Sequence, residues 1–221
     1  MKIIRCRKTN RKGKLVSALL AAAVFSGCIS FPAYADAGKT DLSQAFFTRL
    51  NQSYTYKGKA VYPNFLIACE QVVETDHGDG TATQIIQYMI LQRGQDYKAS
   101  ISGNRGIGKA TVTAVGKGSY AGTLKASFLI RPSQASVKSV RRGKEKLTVR
   151  YRRVPGGCSY QVAWRKKGDH SWKKMSRSGD RAVIPVRRSG KKYEVKVRAY
   201  KKTSAGTYYG KWSKTVQVRA S

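Results

Sequence analysis

The C-terminal part of the chain alternates apolar and polar residues in short runs. In one of them, Leu147, Val149 and Tyr151 share one face of an extended segment, and polar or charged residues separate them. A later run repeats the pattern, with Tyr193 as its first apolar residue. The runs are residues 146–152, 160–164, 193–200 and 215–219. Because successive side chains of a strand point to opposite faces, this pattern predicts half-buried β-strands.

Short glycine-containing clusters of the kind that form tight turns lie between these runs or near their ends. They are residues 155–157, 167–169, 178–180 and 189–190. Short strands at such spacing indicate a sandwich of two antiparallel sheets. The earlier part of the chain is also rich in Tyr and Gly, and the fold class we predict is all-β, with two tandem β-sandwich modules.

The first 35 residues form a pattern of their own. Seven Lys or Arg and no acid lie within residues 1–14, an apolar run from Leu15 to Phe25 follows, and Ala33-Tyr34-Ala35 offers a small-x-small cleavage site. This order predicts a secretory signal peptide over residues 1–35 and therefore a secreted or cell-surface protein, with Asp36 as the mature N-terminus. Ser26-Gly27-Cys28 leaves lipidation of Cys28 open as an alternative.

Charge divides the rest of the chain in two. Residues 36–130 contain ten Lys or Arg and seven Asp or Glu, whereas residues 131–221 contain 27 and four, a net charge of +23. The change falls at Arg131-Pro132, where proline also interrupts a strand. We therefore predict a first module over residues 36–131 and a second over residues 132–221.

The second module resembles a bacterial fibronectin type III domain. Residues 190–200, GKKYEVKVRAY, are similar to the penultimate strand of that family, and Gly210-Lys211-Trp212-Ser213 resembles the start of its last strand. The resemblance implies that Tyr193 is the tyrosine-corner residue and that Tyr151, Tyr193 and Trp212 are structural core residues. Tyr151 replaces the tryptophan that the family usually has.

The first module resembles the immunoglobulin-like repeats of bacterial surface proteins. The similarity rests on residues 54–63, 94–97, 104–112 and 116–123. Residues 69–83 look like a lengthened or altered loop. Such repeats often precede fibronectin type III modules, and neither family is enzymatic, so the resemblance implies a non-enzymatic protein without a cofactor.

Candidate sites for chemistry are few. Cys69 and Cys158 lie in different predicted modules, which favours two separate thiols over a bridge, and no Cys/His spacing indicates zinc. The acidic residues between Glu74 and Gly80 offer oxygens for Ca²⁺, but a solvated turn is the simpler interpretation. Residues 103–108 look like a glycine-rich nucleotide loop, yet no helix follows, so we interpret them as a hairpin.

Basic residues on the outward faces of the predicted strands are the strongest functional signal. Strand geometry arranges them as a lattice, and such a surface attracts polyanions. Lys196 and Arg198 are expected to lie in a different sheet from Arg150 and Arg152, and to form the stronger site because aromatic residues adjoin them. The predicted anion-binding residues are Arg165, Lys196, Arg198, Lys201, Lys202, Lys211 and Arg219.

These observations predict a secreted or cell-surface scaffold whose basic module binds an anionic cell-wall polymer or a glycosaminoglycan. A purely structural spacer or adhesion module is the first alternative, because Lys and Arg also keep sandwiches soluble. A nonspecific extracellular nucleic-acid binder is the second, since no motif for specific recognition is present.

Overall fold

The computed structural model describes residues 38–186 and 190–220, apart from the side chains of residues 71–76 and 82. The predicted signal peptide, including Cys28, lies outside the described residues. The described chain is all-β, which confirms the predicted class, and its one helical segment is a 3-10 turn over Leu42–Gln44. The strands are β1 (Thr40–Asp41), β2 (Phe46–Thr48), β3 (Ser53–Thr55), β4 (Leu66–Asp76), β5 (Ala82–Leu91), β6 (Tyr97–Ser102), β7 (Gly108–Gly116), β8 (Tyr120–Ala121), β9 (Thr123–Arg131), β10 (Val137–Gly143), β11 (Lys146–Tyr151), β12 (Ser159–Lys166), β13 (Lys173–Arg177), β14 (Arg181–Pro185), β15 (Lys192–Thr203), β16 (Gly206–Tyr209) and β17 (Val216–Arg219).

The chain divides into two compact units. Among the described residues, unit 1 contains 38–50, 64–100 and 113–126, and unit 2 contains 51–63, 101–112 and 127–220. The predicted boundary between residues 131 and 132 therefore lies inside unit 2. It coincides with a break between strands, because β9 ends at Arg131 and β10 begins at Val137. The division into two tandem modules stays a prediction.

Unit 1 contains the three-stranded sheet β2-β4-β5 and the parallel pair of β1 with β8. Its buried side chains include Leu42, Ile67 and Leu91. The interpretation of residues 69–83 as a loop was wrong, since β4 and β5 pair along their length from Ile67–Leu91 to Asp76–Ala82. The physical reason is the density of β-branched residues in this segment, which favours extended structure.

Two sheets of unit 2, built from strands β10 to β17, share one core. The first sheet has the order β10-β11-β14, and in the second β12 lies between β13 and β15, which pairs with both β16 and β17. Leu147 and Val149 of the first sheet and Val195 and Val197 of the second are fully buried in the same cluster. The alternation that the sequence predicts for β11 and β15 is thus confirmed, and so is the placement of these two strands in different sheets.

The turns of unit 2 occur where glycine clusters predict them. Gly156, Gly168 and Gly190 have φ values of +100°, +97° and +73°, and residues that have a Cβ rarely adopt such backbone conformations. A Cβ at Gly156 would also lie 2.5 Å from the Ile107 side chain. The segment over residues 103–108 is a hairpin between the neighbouring strands β6 and β7, as predicted.

Candidate functional site

The outer face of the five-stranded sheet presents charged side chains because buried and more exposed residues alternate along Tyr193–Tyr200 of β15 and at the start of β12. Tyr160, Val162, Val195 and Val197 are buried in the core, and the residues between them face outward. Strand register then fixes the outward neighbours: Arg165 pairs with Glu194, and Gln161 pairs with Arg198. The site therefore follows from the pattern that forms the core.

Aromatic rings and cations alternate along this face, and we call the arrangement the aromatic–cation stack. Its members, in spatial order, are Tyr209, Arg198, Trp212, Lys196, Trp172 and Arg165. Successive distances from cationic group to ring centroid are 4.0, 4.5, 5.1, 3.9 and 4.5 Å. All lie within the range in which a ring quadrupole attracts a cation. The stack joins residues that are far apart in sequence, and we expect it to stabilise unit 2.

Hydrogen bonds hold the two arginines of the stack. Arg165 donates from Nε to Glu194 Oε2 at 2.7 Å and from a terminal nitrogen to the Asp169 carbonyl at 2.9 Å. Arg198 donates twice to Gln161 Oε1, at 3.0 and 2.7 Å. These hydrogen bonds orient both guanidinium groups, and each group uses two of its five N–H donors.

Lys196 lies between two tryptophans, and its surroundings disfavour its charge. Desolvation lowers the pKa of Lys196, and the nearby cations Arg165, Lys174 and Arg198 lower it further, while Glu194 acts in the opposite direction. The two rings offset part of this cost because they attract the ammonium group. Lys196 is thus a partly desolvated member of the stack and less accessible than a surface lysine.

The remaining predicted anion-binding residues are not members of the stack. Lys202, Lys211 and Arg219 are exposed, whereas Lys201 is half-buried and donates from Nζ to the Gly157 carbonyl at 3.0 Å. The predicted set therefore divides into three cations that belong to the stack, Arg165, Lys196 and Arg198, and four that do not. The sequence analysis missed the hydrogen bonds of Glu194 with Arg165 and of Gln161 with Arg198. Finding them requires the register between β12 and β15.

Of the predicted core residues, Tyr151 and Tyr193 are buried in unit 2. Trp212 is not a core residue. It is half-buried on the outer face, because residues 210–215 bring its ring onto Lys196 and Arg198. Tyr160, which the sequence analysis had not singled out, is fully buried, and its hydroxyl accepts a hydrogen bond from the Val154 amide at 2.7 Å.

The hydroxyl of Tyr151 is a buried polar group without a hydrogen-bond partner among the described residues. Its ring lies 4.8 Å from that of Tyr160. Burial, followed by the proximity of Tyr160 and Asp180, raises the pKa of Tyr151 to about 12. Such an unsatisfied hydroxyl costs stability, so Tyr151 is an imperfect substitute for a fully apolar core residue.

Cys69 and Cys158 differ in their oxidation state. Cys69 is disulfide-bonded and Cys158 is a free, buried cysteine, so the expectation of two separate thiols was wrong for Cys69, and the two do not pair with each other. In the turn over residues 77–81, Asp79 accepts two hydrogen bonds from Thr81, which lower the pKa of Asp79. The side chains of Glu74 and Asp76, the other carboxylates of the candidate Ca²⁺ loop, lie outside the described residues.

Comparisons with known proteins add little. No family model matches the chain, and no curated protein matches it. Among solved structures, a chain from a structure titled "Cytokine receptor complex - Crystal form 1A" is 13% identical over 70% of this chain and 91% of that chain, with a TM-score of 0.40. Within the described ranges, no helix has the length and apolarity needed to cross a membrane.

Proposed function

We propose that this is a secreted or cell-surface, non-enzymatic scaffold protein whose basic C-terminal module binds an anionic polymer. One observation carries the proposal: ion pairs neutralise almost none of the positive charge in the described part of this module. Among the described residues of 132–220, the ion pair of Arg165 with Glu194 is the only salt bridge. The other cations therefore repel one another, and a polyanion that displaces their counterions would lower this repulsion.

The arrangement of strands supports a fibronectin type III-like module. The sheet β10-β11-β14 faces a sheet in which β12 and β15 are central, and the two enclose one apolar core. Sandwiches of this kind serve as binding modules on cell surfaces. A rigid sandwich holds its cations at defined spacing, so binding a polymer costs it less conformational entropy than it would cost a flexible basic tail.

The aromatic–cation stack favours the spacer as a second candidate. Arg165, Lys196 and Arg198 have structural partners, so part of the basic composition serves stability and requires no ligand. The two functions make different predictions, because a spacer needs no affinity for polyanions near ~0.15 M salt, where charges beyond ~8 Å are screened.

The test is binding of the purified protein to labelled heparin, inorganic polyphosphate and a short DNA duplex at ~0.15 M salt. The proposal predicts binding of heparin or polyphosphate at micromolar concentrations, with affinity that falls as salt rises. The spacer alternative predicts binding of none of the three. DNA that binds tighter than both other polymers would favour the nucleic-acid alternative.

A further inference from the structure

The three-stranded sheet of unit 2 carries a second basic surface on its outer face. Leu147, Val149 and Tyr151 point into the core, so the residues that alternate with them face solvent. The same alternation exposes outward positions of β10 and β14. The exposed outward side chains include Lys146 and Val183. They also include four arginines, which we call the arginine face: Arg141, Arg150, Arg152 and Arg181.

Strand register places three members of the arginine face close together. Arg150 lies directly opposite Arg181, and on its other side it pairs with Ser139. Arg141 lies in the next row, opposite Thr148. Direct cross-strand neighbours have Cβ atoms about 4.5–5.5 Å apart and diagonal neighbours about 7–8 Å, so three arginine side chains start from a small area of the sheet.

No described acid forms an ion pair with these arginines. Their guanidinium groups have no hydrogen bond or ion pair with any described residue, in contrast to those of Arg165 and Arg198. The acids next to these strands, Glu145 before β11 and Asp180 before β14, make no salt bridge within the described part of unit 2. Like charges directly opposite each other across two strands destabilise a sheet, so the pairing of Arg150 with Arg181 carries a cost.

We propose that the arginine face is the principal anion site of the module, and that it binds the tetrahedral phosphate or sulfate groups of a polymer. This rests on the proposed function and assigns its site. A guanidinium group offers a planar fork of donors that matches such oxyanions, and these forks have no partner within the described structure. The half-buried hydroxyl residues Ser139 and Thr148 lie between the arginines and supply further donors.

This site differs from the one that the sequence favoured. The outer face of the other sheet has more aromatic residues, but those rings already bind Arg165, Lys196 and Arg198. A ligand there would compete with existing contacts. On the arginine face it would compete only with water and counterions.

The test compares two triple variants that remove the same charge. One replaces Arg141, Arg150 and Arg181 with Gln, and the matched control replaces the exposed residues Lys202, Lys211 and Arg219 with Gln. Dissociation constants for polyphosphate, heparin and the carboxylate polymer hyaluronan are measured at several salt concentrations. Relief of repulsion should leave the arginine variant at least as heat-stable as the wild type, which verifies that it folds.

We expect the arginine variant to lose at least tenfold in affinity for the preferred polymer and the control about threefold or less. A preference for heparin would assign sulfate as the ligand group and a preference for polyphosphate would assign phosphate. Equal losses in the two variants, or hyaluronan bound as tightly as the other polymers, would overturn the proposal. Failure of the wild type to bind any of them would instead refute the proposed function.

A third variant tests the role of the guanidinium geometry. Replacing the same three arginines with Lys keeps the charge but removes the bidentate fork. The inference predicts that the loss in log affinity of the Lys variant is more than half of the loss that the Gln variant shows. Full recovery would show that charge alone is recognised, which contradicts the geometric part of the inference.

Discussion

The contact between Trp172 and Lys196 allows the energy of the aromatic–cation stack to be measured. The Lys196 ammonium lies 3.9 Å from the ring centroid, and both side chains are half-buried. Cation–π contacts contribute about 0.5–1 kcal/mol when exposed and about 2 kcal/mol when desolvated, so we expect about 1 kcal/mol here. The changes are Trp172→Leu and Lys196→Met, which keep apolar bulk.

The single variants alone do not isolate this energy. Lys196→Met removes favourable ring contacts, but it also removes an ammonium that is desolvated and lies near Arg165 and Arg198. The two effects have opposite signs, so the net change in stability from Lys196→Met should be small. A double-mutant cycle separates the pairwise energy from these other terms.

The assay is equilibrium unfolding in urea of the wild type, both single variants and the double variant. A second cycle that combines Trp172→Leu with Lys192→Met is the control, since Lys192 is an exposed lysine of the same strand outside the stack. We expect a coupling energy of about 1 kcal/mol for Lys196 and less than ~0.3 kcal/mol for Lys192. A value for Lys196 below ~0.3 kcal/mol would refute the energetic role of the stack.

Three further predictions concern the core and turns of unit 2. Because the pKa of Tyr151 is raised to about 12, the stability of the wild type should fall as pH rises from 10 to 12. In urea unfolding, Tyr151→Phe should show a smaller loss of stability over this pH range and be about 1 kcal/mol more stable at neutral pH. Tyr193→Ala should cost about 3 kcal/mol or more, whereas Tyr62→Ala, at a residue that is 75% exposed, should cost under ~0.5 kcal/mol; equal costs would contradict the burial of Tyr193. Gly156→Ala should lower the melting temperature more than Gly168→Ala, because both have positive φ but only the first would place a Cβ against Ile107; equal shifts would show that backbone strain alone matters.

The strands of unit 2 could be predicted from sequence because burial there follows a period of two. Val195 and Val197 alternate with charged residues, and each is fully buried. The β4–β5 hairpin was missed because Ile85, Ile86 and Tyr88 of β5 are exposed, so its apolar residues do not alternate with polar ones. Such a strand cannot be recognised from the alternation of apolar and polar residues.

The candidate site was only partly predictable for a different reason. The sequence identifies which residues of β15 face outward, but contacts of Trp172 and Trp212 depend on where loops place them. Likewise, the pairing of Arg150 with Arg181 depends on β14 lying beside β11, which alternation does not reveal. Sequence therefore predicted the basic faces, and register was needed to distinguish partnered from unpartnered cations.

The central claim is that the uncompensated charge of the basic module binds an anionic polymer, and the salt dependence of binding tests it most directly. The measurement is the dissociation constant of the purified protein for inorganic polyphosphate between roughly 0.05 and 0.5 M salt. If several cations contact the polymer, log affinity should fall against log salt concentration with a slope of about −3 or steeper. A flat dependence, or no binding at ~0.05 M salt, would contradict the claim.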